Sequence, residues 1–130
     1  MKQEFVIKKR KIIVVAKITG IKGLIGDFNF IVDSGASVSI IDTSVAKILG
    51  FDLLKTETLR LTTVGGKITA NVLKIPKINL FGRNEINFEV NAVNLSPQIT
   101  LLADGLIGFD FLSKFEEIKI NFKEQTIETF

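Results

Sequence analysis

The residues of this chain that could do chemistry are few, and one stretch gathers them. Phe28 to Asp42 reads "FNFIVDSGASVSIID": an apolar run ends at Asp33, three small residues follow (Ser34, Gly35 and Ala36), and a second apolar run begins. Taken alone, Asp-Ser-Gly is ordinary turn chemistry, in which the carboxylate bonds its own backbone and the glycine takes positive φ. The flanks offer a second reading. Phe30, Ile31 and Val32 lead in, and Val38, Ile40 and Ile41 lead out. The loop is therefore expected between buried elements rather than at a wet hairpin tip. Burying a carboxylate without compensation is unfavourable, so a fold that does it has a use for the group. Asp33 is the candidate catalytic residue.

The absences narrow the chemistry. The chain has no histidine, cysteine, tryptophan or tyrosine. A Ser-His-Asp or Cys-His nucleophile system is impossible within it. A structural zinc site is not expected, and no disulfide can form. Catalysis is left with carboxylates, lysine, Ser/Thr or an oxygen-bound metal. No second carboxylate stands close to Asp33 in sequence, so a metal at Asp33 and Ser34 is not expected, nor is any cofactor. The same residues also read as a phosphorylation motif, but their apolar flanks would keep a kinase away.

The elements that must hold Asp33 are mostly strands. The chain has 130 residues and is 46% hydrophobic, enough for one domain over 1–130 with a real core. Phe5 to Ile7, Ile12 to Ile18 and Phe28 to Val32 read as strands. Thr58 to Val64 and Lys67 to Val72 flank Gly65-Gly66 as a hairpin. Ile86, Phe88, Val90 and Ala92 keep period two, as do Ile118, Ile120 and Phe122. Thr126 to Phe130 is expected to pair back through the Lys123-Glu124-Gln125 turn. Pro76 and Pro97 suit strand-edge or turn positions. Two helices are predicted: Thr43 to Leu49, capped by Asp42 and ended by Gly50, and Phe109 to Lys114.

The net charge is +3, spread along the chain apart from Lys8, Lys9, Arg10 and Lys11. That cluster is read as a solvated strand edge rather than a nucleic-acid or anionic-surface contact. The longest apolar run near the N-terminus, Ile12 to Ala16, is far short of a membrane span or a signal-peptide core. No membrane or nucleic-acid partner is expected, and the location is read as cytoplasmic.

Together these pieces resemble the retropepsin-like aspartic proteases. "FIVDSGASVSIID" is similar to that family's active-site loop. A helix ending "AKILG" follows, then a glycine hairpin "LTTVGGKI" where the family has its flap. Then comes "GLIGFDFLSKF", with two apolar residues and a glycine before a short helix. The four pieces fall in the family's order, with 75 positions between Asp33 and Gly108. "GLIG" occurs twice, and the second copy, Gly105 to Gly108, is the one that follows the flap. The resemblance covers 28–122, while 1–25 are N-terminal strands without a family motif. It looks closest to the single-domain cellular and prokaryotic members.

The resemblance implies a mainly β fold, a closed or partly open barrel with one or two short helices. It also implies an aspartic endopeptidase. Such enzymes need two carboxylates about 3 Å apart that share one proton, and this chain carries one Asp-Ser-Gly. The pair would therefore be Asp33 and the Asp33 of a second copy, in a homodimer; the resemblance to smaller viral members also implies, as an alternative to the hairpin, that Thr126 to Phe130 interleaves with the partner chain. Ser34 would bond across the two-fold axis, or else make a local turn bond. Gly35 and Ala36 would keep the loop small. Val64, Gly65 and Gly66 would form the flap, or else a plain surface hairpin. Leu106, Ile107 and Gly108 would pack under the loop. The substrate would be a peptide or unfolded protein, with apolar side chains beside the cut bond. The competing readings are a dimerisation or peptide-binding module of the same fold and an unrelated β-barrel nucleic-acid binder.

Overall fold

The computed structural model describes residues 1–130. Eleven strands account for most of the chain: β1 (Lys2–Glu4), β2 (Val6–Lys8), β3 (Lys11–Thr19), β4 (Ile25–Val32), β5 (Ile40–Asp42), β6 (Glu57–Thr63), β7 (Gly66–Leu80), β8 (Arg83–Val93), β9 (Gly105–Ile107), β10 (Ile118–Asn121) and β11 (Thr126–Thr129). Three short helices interrupt them: α1 (Thr43–Ile48), α2 (Pro97–Thr100) and α3 (Phe109–Leu112).

Hydrophobic alternation drives the strands together. In β3 the side chains of Val14, Ala16 and Ile18 are buried while Val15 and Lys17 face out, the period-two signature of a half-buried strand. β3, β4, β9, β5, β8 and β7 are hydrogen-bonded in that order, and a further β3–β7 pairing at Lys17–Asn79, Ile18–Ile78 and Thr19–Lys77 closes them into a ring. β2 and β6 extend the ring at its margins. Inside it lie Phe30, Ile41, Leu73, Ile75, Ile107 and Phe111, all essentially inaccessible. Each such side chain stabilises the fold by roughly 1.5–3 kcal/mol relative to leaving it in water. Phe111 meets Phe88 edge-on at 5.4 Å between ring centroids and Phe115 at 6.0 Å, which ties α3 to β8.

A second, three-stranded sheet has the order β1-β11-β10. The segment expected at Thr126 to Phe130 pairs back on its own chain, with Ile120 opposite Ile127. β1 covers its other edge, with Gln3 opposite Ile127.

Several elements differ from the sequence reading. The strand expected at Phe5 to Ile7 is two strands, because buried Phe5 is the point where the chain leaves one sheet for the other. The hairpin turn falls on Val64-Gly65, since Thr63 already pairs with Gly66. β7 runs past Val72 to Leu80 and straight through Pro76. Pro76 has no N–H to donate, and the β7–β8 ladder is interrupted there, between the Ile75–Phe88 and Lys77–Ile86 pairs, where Asn87 takes φ 55°. Pro97 opens α2, where its missing N–H is no loss. α1 is as read: Asp42 accepts from the Ser44 N–H at 3.0 Å, and Gly50 has φ 92°. The longest helix has six residues, and none is long and apolar enough to cross a membrane.

Candidate active site

Asp33 stands one residue beyond β4. β4 runs parallel to β9, with Val32 opposite Ile107, and the Asp33 N–H continues the ladder to the Ile107 carbonyl at 2.9 Å. The chain then loops through 34–39 and returns as β5 on the other side of β9, antiparallel, with Ile40 opposite Leu106. The Asp33 loop therefore straddles the end of β9. Its position is set by three strands rather than by its own residues.

Two glycines allow that crossing. A Cβ on Gly108 would lie 2.7 Å from both the Ala36 and Val38 carbonyl oxygens. A Cβ on Gly105 would lie 2.1 Å from the Ile40 carbonyl oxygen. Both neighbours are backbone and cannot swing aside. Gly35 is different, since a Cβ there would meet only the Asp33 Oδ1, at 3.3 Å.

The loop is fastened to the start of α3 by a small polar network. The Phe109 N–H donates to the Ala36 carbonyl at 2.7 Å. The Ser39 hydroxyl accepts from the Gly108 N–H at 3.0 Å and donates to Asp110 Oδ1 at 2.7 Å. The Ser39 N–H donates to Asp110 Oδ2 at 3.0 Å. Asp110 Oδ1 also accepts from the Phe111 N–H at 2.9 Å. Ser39 is completely buried, so its hydroxyl needs both partners.

Asp33 itself is half-buried, less enclosed than the apolar flanks suggest. Its Oδ1 accepts from the Gly35 N–H at 3.0 Å, the local turn bond, while Oδ2 receives no donor from the chain. Ser34 is exposed and its hydroxyl makes no bond within the chain. Beside it opens an apolar groove of about 460 Å³, bounded by Val32, Ser34, Phe109, Leu112, Ile118 and Ile120. Another cavity, about 550 Å³, lies on the other, polar face of the terminal sheet among Lys2, Lys119 and Glu128, away from Asp33.

The structure thus brings Asp33, Ser34, Gly35 and Ala36 together with Leu106, Ile107 and Gly108. It does not bring Val64, Gly65 and Gly66 to them. These form the exposed tip of the β6–β7 hairpin, pinned by a Thr63 hydroxyl bond to the Gly66 carbonyl at 2.8 Å, and no hydrogen bond joins that tip to the Asp33 loop. Sequence reasoning missed Ser39, Asp110 and Gly105. The available signal for Ser39 and Asp110 was a lone hydroxyl between Val38 and Ile40, and one carboxylate two residues after Gly108 amid apolar neighbours.

The comparisons agree with this architecture. The aspartyl protease family model matches residues 14–111, and the chain belongs to that family. A retropepsin-like aspartic protease from Rickettsia conorii superposes with a TM-score of 0.75 at 20% identity, over 100% of this chain and 91% of that one. The EIAV protease in complex with an inhibitor gives 0.58 at 18% identity, over 82% and 88%. The retroviral protease-like domain of Ddi1 from Leishmania major gives 0.58 at 20% identity, over 91% and 92%. No curated protein sequence matches the chain significantly. The fold is therefore mainly β and retropepsin-like.

Proposed function

We propose that this protein is a homodimeric aspartic endopeptidase whose catalytic pair is Asp33 and the Asp33 of a second copy. One observation carries the reading. An Asp-Ser-Gly loop is stapled across Gly108 at a strand end, with one carboxylate oxygen left free of the chain's own donors. A single chain supplies a single such carboxylate, and a two-fold axis beside the loop supplies the other. Two carboxyls at that separation cannot both ionise, so the pair holds one proton and titrates as a unit. The ionised member takes a proton from water as it attacks the scissile carbonyl. The protonated member donates to the carbonyl oxygen. The carboxyl that took the water's proton then passes it to the leaving nitrogen while the other regains a proton from the gem-diol, so the C–N bond breaks with no covalent enzyme intermediate, metal or cofactor.

Ser34, exposed and unbonded within its chain, is suited to bond across the axis. Gly35 and Ala36 leave room for backbone to approach. Leu106, Ile107 and Gly108 hold the loop from below. The β6–β7 hairpin tip, Val64 to Gly66, is suited to close over an extended peptide, which would add main-chain bonds as a further strand. The same tip favours the second reading, a peptide-binding or dimerisation module with little hydrolysis, because it carries no aromatic side chain to seat on a substrate.

The test is digestion of an unfolded protein from pH 3 to 7 by the parent and by Asp33→Asn, with matched circular dichroism. Cleavage by the parent only, with an acidic optimum, is expected. No cleavage by the parent at concentrations where it is dimeric would leave the module reading.

A further inference from the structure

One buried side chain has no partner. Asn91 on β8 is 4% exposed, and no donor in the chain reaches its buried Oδ1. Buried polar groups are nearly always hydrogen-bonded, so an orphan calls for an explanation. The backbone at this point is satisfied, since the Asn91 N–H donates to the Ser39 carbonyl at 3.1 Å. Only the side chain is unmet. An apolar residue of the same size would avoid the desolvation of that amide, so the fold itself gains nothing from an asparagine here.

The surroundings of the amide supply a reason. Asn91 lines an open cleft of about 410 Å³ that also takes in Val38, on the loop returning from Asp33. Glu85, Asn87, Glu89 and Asp110 line it too. Asn87 reaches it from the interruption opposite Pro76, where it takes φ 55°. This lining is rich in acceptors. Asp110 Oδ1 takes the Ser39 hydroxyl and the Phe111 N–H, while Oδ2 takes the Ser39 N–H alone. A carboxylate oxygen can accept two bonds, so Oδ2 keeps capacity. Glu85 turns Oε1 to Arg83 at 2.6 Å and to Lys114 at 3.8 Å, which leaves Oε2. Glu89 is exposed and stands opposite Lys74 in the β7–β8 ladder. Within the cleft, Lys114 is the one cation beside three carboxylates. An acidic group placed there would be repelled, and an apolar one would leave the amide unmet. No three carboxylates of the chain converge as the ligands of a metal ion would. The complement is a flat cation with several donors, which describes a guanidinium.

We propose that this cleft is a specificity subsite for an arginine side chain of the peptide substrate, with the Asn91 amide at its floor. This rests on the protease reading above and deepens it by naming a feature of the substrate. The guanidinium donates to the Asn91 amide oxygen and faces Glu89 and the free side of Asp110. No hydrogen bond holds the amide, so it can turn about χ2 to meet the donor. The cleft starts where the Asp33 loop ends, so the arginine stands away from the cut bond and leaves the adjoining positions to apolar side chains.

The experiment maps the bonds that the parent cuts in a denatured protein. Arginine should be enriched at one fixed position relative to the cut. In a synthetic peptide, exchanging that arginine for citrulline, which keeps the shape and removes the charge, should lower kcat/KM by roughly tenfold or more, the worth of one charged hydrogen bond. Asn91→Leu and, separately, Glu89→Lys should each bring the arginine-to-citrulline ratio toward one. Asn91→Leu should unfold in urea no earlier than the parent, because its amide has no partner to lose. Glu89→Lys lies on the surface and keeps the test open if Asn91→Leu fails to fold. Cleavage without arginine enrichment, or a ratio that the variants leave intact, overturns the subsite and leaves the protease reading standing. A parent that cuts nothing removes the protease reading, and the subsite is then read by NMR with N-acetyl-arginine amide and its citrulline counterpart. Movement of the Asn91 side-chain amide signals with the first compound only supports an arginine site apart from hydrolysis. No movement overturns the site as well.

Discussion

At the residue scale the site depends on groups that touch no substrate. Ser39 is the clearest case. It accepts from the Gly108 N–H and donates to Asp110, so one buried hydroxyl ties the return of the Asp33 loop to β9 and to α3. Ser39→Ala leaves the Gly108 N–H without an acceptor and takes a donor from the Asp110 carboxylate. An unmet buried polar group costs about 1–3 kcal/mol, and urea unfolding should show a loss in that range. Ser37→Ala, two residues away and exposed, should stay within about 0.5 kcal/mol of the parent. Equal losses from the two would deny Ser39 its fastening role. Asp33, Gly35 and Gly108 could be singled out in the sequence because each stands in a short motif between apolar runs and the motifs fall in a set order. Ser39 could not, because a serine between apolar residues carries no mark of what its hydroxyl will meet 69 positions later.

Among elements, α1 shows how a cap links the site region to distant chain. Asp42 closes β5 and caps α1 through Ser44, and its Oδ1 also accepts from the Leu95 N–H at 2.9 Å. Partial burial pushes this carboxyl up, but the bonds from the Ser44 hydroxyl and from the Leu95 and Ser44 amides outweigh it and hold the group below its ordinary range. A carboxyl lowered in the folded state adds stability above its unfolded value of about 3.9. That contribution is lost as pH falls through the lower folded value. Asp42→Asn should therefore be less stable than the parent at pH 6, with the gap closing toward pH 3 in urea titrations; a gap constant with pH would show that the charge is not what matters. The cap and Gly50 could be read from sequence because they are local. The run of β7 through Pro76, the short β9 and the four-residue α2 could not. Each is decided by neighbours across the sheet or by backbone pairing rather than by its own periodicity.

For the whole molecule, the alternating strands and the order of the four motifs were enough to foresee a mainly β retropepsin-like fold. Closure of the ring was not foreseeable, since it rests on three β3–β7 pairs whose partners lie about 60 positions apart and whose residues look like any others in their strands. The same limit applies between chains: nothing in one copy's sequence states its oligomeric order, and the proposed dimer rests only on the chemistry of a carboxylate pair. If the dyad is shared between copies, activity must depend on assembly. Below the dissociation constant the rate should rise as the square of protein concentration, and above it linearly. Mixing gives a sharper reading. Asp33→Asn should fold and dimerise with the parent, and a mixed dimer holds one carboxylate where the chemistry needs two. Random exchange of an equal amount of the variant should then lower the parent's rate to about half, and larger excesses should lower it further in proportion to the parent's share of the chains. A variant that exchanges, as seen by fluorescence transfer between labelled copies, yet leaves the parent's rate untouched would mean that each chain works with its own Asp33 alone. The two-fold dyad would then be wrong.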